Sequence, residues 1–208
     1  MPSPTLTKTR PTQMTTTAAA SRGFSLIELL AVLSVLAALL LIAAPGYREF
    51  ILNNRMVSEV YALRATLANA RSEALARRAP VVVCPTADGA SCVNTTNWTT
   101  GYVSFVDTDN DRALDAGEEV IQWEARGVEA TVQFDNPTNN LVQFDPRGYS
   151  LNFEGTFTFC DPRGVTEARA LILTPAGALR AATDTDSPED EIVNKPDPAG
   201  TNIINVGC

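Results

Sequence analysis

Three features of this sequence predict an α+β protein, with one long N-terminal helix packed on antiparallel β-sheets. The first is FSLIELLAVLSVLAALLLIAA, residues 24–44, an almost unbroken apolar run in which Glu28 is the single charge. The second is an apolar repeat at helical spacing within residues 46–79. The third is the change, from Pro80 onward, to short β-rich runs separated by turn residues.

Residues 1–23 are rich in Thr, Pro and Ala, carry no apolar periodicity and read as a targeting leader outside the fold. Lys8, Arg10 and Arg22 are its only charges and precede the apolar run, so the positive-inside tendency puts the leader in the cytoplasm and the C-terminal part across the membrane. Residues 24–45 then form the membrane half of the helix. At about 1.5 Å per residue this segment reaches roughly 30 Å, the thickness of a bilayer core. A carboxylate inside it costs about 2.5–3.5 kcal/mol on insertion scales, so Glu28 needs a partner or a function. Pro45-Gly46 removes a backbone hydrogen bond and weakens the helix there.

Residues 46–79 continue as an amphipathic half. Met56, Val60, Leu63, Leu67, Ala70 and Ala74 recur at steps of three and four and draw one stripe, while Arg48, Glu49, Arg55, Glu59, Arg64, Arg71, Glu73, Arg77 and Arg78 fall mostly off it. Pro80 ends the helix at Ala79. Residues 80–208 form the β domain. Strands are predicted at 81–84, 101–106, 120–125, 129–134, 141–144, 153–160, 170–174 and 179–182. Turns at Asn136-Pro137, Pro146-Arg147-Gly148 and Pro175-Ala176-Gly177 argue for antiparallel pairing, and the stripe from Met56 to Ala74 packs on the sheets. About 160 residues outside the membrane suffice for one domain with a real core.

Composition excludes several functions. The chain holds 16 basic and 24 acidic residues, net −8, and without the leader's three cations it becomes 13 and 24, net −11. Such a surface repels phosphate backbones. Histidine is absent, which removes the commonest general base and metal ligand and every Ser-His or Cys-His scheme. With no phosphate-binding glycine loop and no nucleophile beside a base, an enzyme is not expected. Cys84, Cys92, Cys160 and Cys208 lie in the exported part, where disulfides form. Three pairings are possible in principle. Cys84–Cys92, closing a short loop, and Cys160–Cys208, tying down the C-terminus, are expected; free thiols are the alternative. The spacing does not suit zinc.

Gly23, Phe24, Ser25, Leu26, Ile27 and Glu28, with Pro45 closing the apolar run, resemble the N-terminus of type IV prepilins and type II secretion pseudopilins. The resemblance implies cutting after Gly23 by a membrane prepilin peptidase, which also N-methylates Phe24. It implies that Glu28 pairs with the terminal amine of a neighbouring subunit in the filament. The helix would bend or melt at Pro45-Gly46 during assembly; a simple kink is the other reading. A signal peptide, by contrast, is cut after its apolar region, and an ordinary anchor gives no reason for Glu28.

The C-terminal part is similar to H-type pseudopilins and the FimT and FimU minor pilins. The similarity rests on Val82-Val83-Cys84-Pro85, Cys92, Trp98, residues 101–107, an Asp-rich turn, Cys160-Asp161 and Pro175-Ala176-Gly177. It implies a two-sheet fold on a long helix. The function implied is that of a minor type IV pilin, a structural subunit for pilus assembly or initiation, serving twitching motility, adhesion or DNA uptake. The alternatives are an H-type pseudopilin of a type II secretion system, or a DNA- or calcium-binding module at the pilus tip. The implied partners are other major and minor pilins, the prepilin peptidase/N-methyltransferase and an inner-membrane assembly platform. The implied location is a single-pass inner-membrane precursor with a periplasmic C-terminal domain, then a pilus or a periplasmic pseudopilus.

Two internal stretches offer binding chemistry. Asp107, Asp109, Asp111, Asp115 and Glu118 occupy positions 1, 3, 5, 9 and 12 of a calcium-loop pattern, with the Ala113 carbonyl at position 7 and Leu114 at the apolar position 8. Arg112 stands where that pattern has glycine and the flanks read as strands, so a polar hairpin turn is the competing reading. The resemblance also raises DNA binding through arginines after the late glycine, of which only Arg180 remains here. A local patch of Arg147, Arg163, Arg169 and Arg180 competes with scattered solvated arginines. Residues 184–191, DTDSPEDE, read as a solvated acidic loop.

Overall fold

The computed structural model describes residues 24–127, 130–185, 190–196 and 203–208. The predicted leader with Gly23, the position of Glu129 and the middle of the acidic stretch at 184–191 lie outside these residues. The chain divides into two compact units, Met1–Gly46 and Tyr47–Cys208. The amphipathic half of the helix therefore belongs with the β domain.

Helix α1 spans Leu26–Arg77 and runs through Pro45 and Gly46 without interruption. It ends two residues earlier than expected. Arg78 takes a left-handed backbone conformation, φ 54°, the way many helices terminate, before Pro80 forbids a further turn. Met56, Leu63, Leu67, Ala70 and Ala74 are buried, with Val60 half-buried beside them. This is the stripe the spacing predicts.

Among the described residues, eight strands follow in two antiparallel sheets. The first sheet has the order β3-β2-β1-β5, built from β1 Val81–Pro85, β2 Gly101–Val106, β3 Val120–Ala125 and β5 Val142–Phe144. The second has the order β4-β6-β7-β8, from β4 Thr131–Asp135, β6 Gly155–Cys160, β7 Arg169–Leu173 and β8 Leu179–Ala181. The short pair β9 Asn194–Pro196 and β10 Ile203–Asn205 was not predicted, because neither carries a β-rich run. Its antiparallel register and the bond from Val206 N to the Val193 carbonyl hold the C-terminal segment.

Alternation sorts the first sheet's side chains. Val81 and Val83 of β1 face the helix with Tyr102, Val142 and Phe144. Val82, Cys84, Val103 and Phe105 form a second cluster, joined by Cys92, Leu114 and Leu141. All of β1 and β2 is thus buried, which explains their continuous apolar reading. Cys84–Cys92 and Cys160–Cys208 are both joined, with Cα–Cα separations of 5.6 and 5.7 Å. The second bond lies in a third cluster of Cys160, Ala168, Ala170 and Val206.

Polar side chains lock the helix to the sheets at points no periodicity reveals. Arg126, with its side chain 3% exposed, donates from Nε to Glu59 Oε2 at 2.6 Å. Arg71 donates from Nε to the Gly148 carbonyl and from Nη2 to the Ala176 carbonyl, both at 2.9 Å. These bonds clamp two glycine turns onto α1. At Gly177, φ is 72°, and a Cβ there would collide with the Gly148 carbonyl and crowd Arg71 Nε at 3.1 Å. Gly177→Ala is therefore expected to cost about 1–3 kcal/mol or more, from left-handed strain plus a clash with backbone. Urea unfolding checks this; an unchanged midpoint would contradict the clamp.

Candidate functional site

The first candidate is the N-terminal end of α1. Ser25 accepts the first helical hydrogen bond, from Leu29 N at 3.1 Å, and Glu28 lies in the first turn. An acid there suits the free amides and positive dipole of a helix start. Every residue from Phe24 to Ala44 is exposed, Phe24 by 83%. Mean hydropathy over the apolar window is 2.8, and none of that window is covered by the described residues. This is an apolar rod bearing one carboxylate, and water is a poor solvent for it. A bilayer or other helices of the same kind would shield it.

The second candidate is the turn joining β2 to β3. One carboxylate oxygen each from Asp107, Asp109 and Glu118 lie within 4.8 Å of one another, and so do those of Asp109, Asp111 and Asp115. Asp107 closes β2, its amide bonded to the Pro80 carbonyl at 3.1 Å, and it is fully buried. Its Oδ2 faces Gln143 Nε2 at 3.4 Å. Its Oδ1 completes no hydrogen bond among the described residues, although the amides of Asn110 and Arg112 turn toward the carboxylate. Burial raises the pKa of Asp107, and those amides offset part of the rise. The neighbouring charge of Asp111 raises that of Asp115. Glu118 accepts from Thr108 N at 2.7 Å and Asp115 N at 3.2 Å, drawing the two ends of the turn together.

The arginines do not converge. Arg147 pairs with Asp145 at 3.0 Å, and Arg169 donates to Asn53 Oδ1 at 2.7 Å. Arg163, only 12% exposed, binds Asp161 at 2.6 Å and also reaches Glu49 and Glu167. It is a structural tie, and neither a solvated charge nor part of a basic patch. Arg180 lies on β8 opposite Ile172, beside a cleft of about 530 Å³ that Asp135 and Glu154 also line. Lys195 pairs with that Asp135 and lines a second cleft with Arg180, so this end of the domain carries both signs of charge.

Residues 59–177, more than half of the chain, match the family described as Type II transport protein GspH. The chain belongs to the GspH family. Residues 19–44 match the prokaryotic N-terminal methylation motif, which contains Gly23, Phe24 and Glu28. The pilin-like protein PilA1 of Thermus thermophilus is 32% identical over 165 residues, covering 76% of this chain and 90% of that protein. A crystal structure of the type IV minor pilin FimU from Pseudomonas aeruginosa shares the fold, with a TM-score of 0.50 and 22% identity over 65% of this chain and 93% of that one. GspH-family proteins are structural subunits of the pilin and pseudopilin class, so this chain is not an enzyme. The acidic turn, Cys84, Cys92, Trp98 and Gly177 fall inside the GspH match; Glu28 falls inside the methylation motif.

Arg126, Arg71 and Arg163 were missed as positioning residues. Only tertiary contact distinguishes them from surface arginines, and no local pattern signals them.

Proposed function

We propose that this GspH-family chain is a minor type IV pilin, made as a membrane precursor, cut after Gly23 and built into a pilus. The observation that carries the reading is the exposed apolar rod with Glu28 in its first turn, in a segment matching the N-terminal methylation motif. Other pilins are its partners in the filament, a prepilin peptidase its processing enzyme and an inner-membrane platform its site of loading. The positive charges of the leader support a periplasmic C-terminal domain. Similarity to the pilin-like protein PilA1 over most of both chains supports a subunit of the pilin class.

The mechanism is assembly. The rod leaves the bilayer for the filament core, where neighbouring helices keep it from water. Phe24, once it is the first residue, carries the terminal amine, and Glu28 of an adjacent subunit meets it. A paired charge is tolerable in low dielectric and an unpaired one is costly. Gly23→Leu is expected to abolish cutting, seen as retention of the longer precursor on a gel. Mass spectrometry of sheared filaments should find this chain beginning at an N-methylated Phe24; any other start overturns the reading.

The match to the family named for type II transport favours a second reading, an H-type pseudopilin. Shearing separates the two. A pilus subunit appears among sheared surface filaments, whereas a pseudopilin stays with the envelope and its deletion abolishes protein secretion.

A further inference from the structure

An acidic turn is usually no more than a solvated hairpin, and the carboxylates of Asp109, Asp111 and Asp115 are exposed. Asp107 differs. It has no solvent exposure, its Oδ1 completes no hydrogen bond among the described residues, and its carboxylate points into the group with Asp109 and Glu118. The amides of Asn110 and Arg112 turn toward this carboxylate and offset part of the cost of burying it, but Oδ1 itself completes no bond, and a cation would remove the cost that remains. Arg112, the one basic residue in the turn, does not supply it. Its guanidinium sits 5.3 Å from the centroid of the Phe153 ring and makes no salt bridge among the described residues.

The surroundings hold the turn in shape. Leu114 packs on the cluster of Val82, Val103 and Phe105, which anchors the middle of the turn to the first sheet. Gln143 Nε2 donates to Asn110 Oδ1 at 2.8 Å and also faces Asp107. Arg112 adopts φ 69°, so the bend that glycine gives a calcium loop is made here without one.

We propose that the β2–β3 turn binds one calcium ion through the carboxylates of Asp107, Asp109, Asp111 and Glu118. Asp115 stands where such loops bind through water, and Ala113 where they offer a backbone carbonyl. The donor set is oxygen alone, with neither sulfur nor imidazole, which suits a hard cation and not zinc or copper. An irregular set of five carboxylates suits calcium better than magnesium, which demands a near-ideal octahedron and keeps several of its waters. Bound, the ion would draw the ends of β2 and β3 together at the tip of the first sheet.

The test is calorimetric titration of calcium chloride into the full chain, purified in a nonionic detergent and stripped with a chelator. One ion per chain is expected, with Kd about 10⁻⁴–10⁻³ M, the range of extracellular calcium modules, and much weaker magnesium uptake. Asp109→Asn and Asp111→Asn, exposed and remote from the core, should each weaken binding about tenfold or more through the lost ligand charge. Glu119→Gln removes the same charge just outside the turn, at a residue paired with Arg77, and should leave binding unchanged. In parallel, the thermal midpoint should rise with calcium in the parent chain but not in Asp111→Asn. No calcium heat up to about 10 mM, uptake that survives both Asn variants, or magnesium bound as well as calcium would each overturn the proposal. The titration reads the free chain, so its failure leaves the filament reading untouched.

Discussion

Chains carrying Glu28→Ala are expected to be made, inserted and cut normally, yet to be missing from filaments. Insertion should not suffer, because removing a carboxylate from an apolar helix lowers the cost of burying it. Cutting should not suffer either, since Gly23 and Phe24 are unchanged. Assembly is different. The neighbour's terminal ammonium would then enter the filament core without its carboxylate, and leaving one member of a buried pair uncompensated costs about 3–5 kcal/mol. At 1.4 kcal/mol per tenfold, incorporation falls by roughly two orders of magnitude or more. Glu28→Gln should behave like the alanine variant, because it keeps shape and loses charge. Immunoblots of sheared filaments against whole membranes measure the ratio, and parental incorporation of either variant would end the role given to Glu28.

Trp98→Ala should be the most damaging single change in the β domain. Trp98 is fully buried in the segment between β1 and β2, and its ring lies 6.2 Å from that of Tyr102 in the first sheet while also reaching the second. Its ring meets Phe157 edge-on at 4.9 Å and Phe134 at 5.7 Å. Its amide donates to the Val132 carbonyl at 2.8 Å, and Nε1 donates to the Asn140 carbonyl at 3.2 Å. One ring thus joins Tyr102 of the first sheet to Phe134 and Phe157 of the second, within the core that also holds the helix stripe. Truncating it leaves a cavity among rings that cannot close in, for a loss of about 3–5 kcal/mol. In a domain of this size that lowers the melting midpoint by about 6–20 °C. Trp98→Phe keeps a ring and should lose clearly less. A loss below about 1 kcal/mol for the alanine variant would show that the sheets are joined by something other than this residue.

How much of this was legible in advance differs from element to element. β2 and β3 match their predicted bounds, because their apolar and β-branched runs end at sharp turns. The helical stripe was equally plain, since a period of three and four residues has no other reading. The calcium-like turn was visible as a pattern, but Arg112 in the glycine position argued against it. Only in the folded chain does Arg112 make the bend itself and send its charge to Phe153. The opposite happened with the arginines. A scattered set invited the idea of a basic patch, and the fold gives Arg147, Arg163 and Arg169 partners of their own.

The chain alone, read residue by residue, determines the apolar rod, the acid in its first turn, the amphipathic stripe and most strands. Each is encoded within a few neighbouring positions, where composition and period act directly on the backbone. Tertiary structure decided what depends on residues far apart in the chain. It set the order of strands in each sheet, joined Arg126 to Glu59 and Arg71 to two distant carbonyls, and buried Asp107 while leaving Asp109 in water. Those outcomes turn on solvent exclusion and on which donors come within reach, and neither exists until the helix and both sheets have closed on one core.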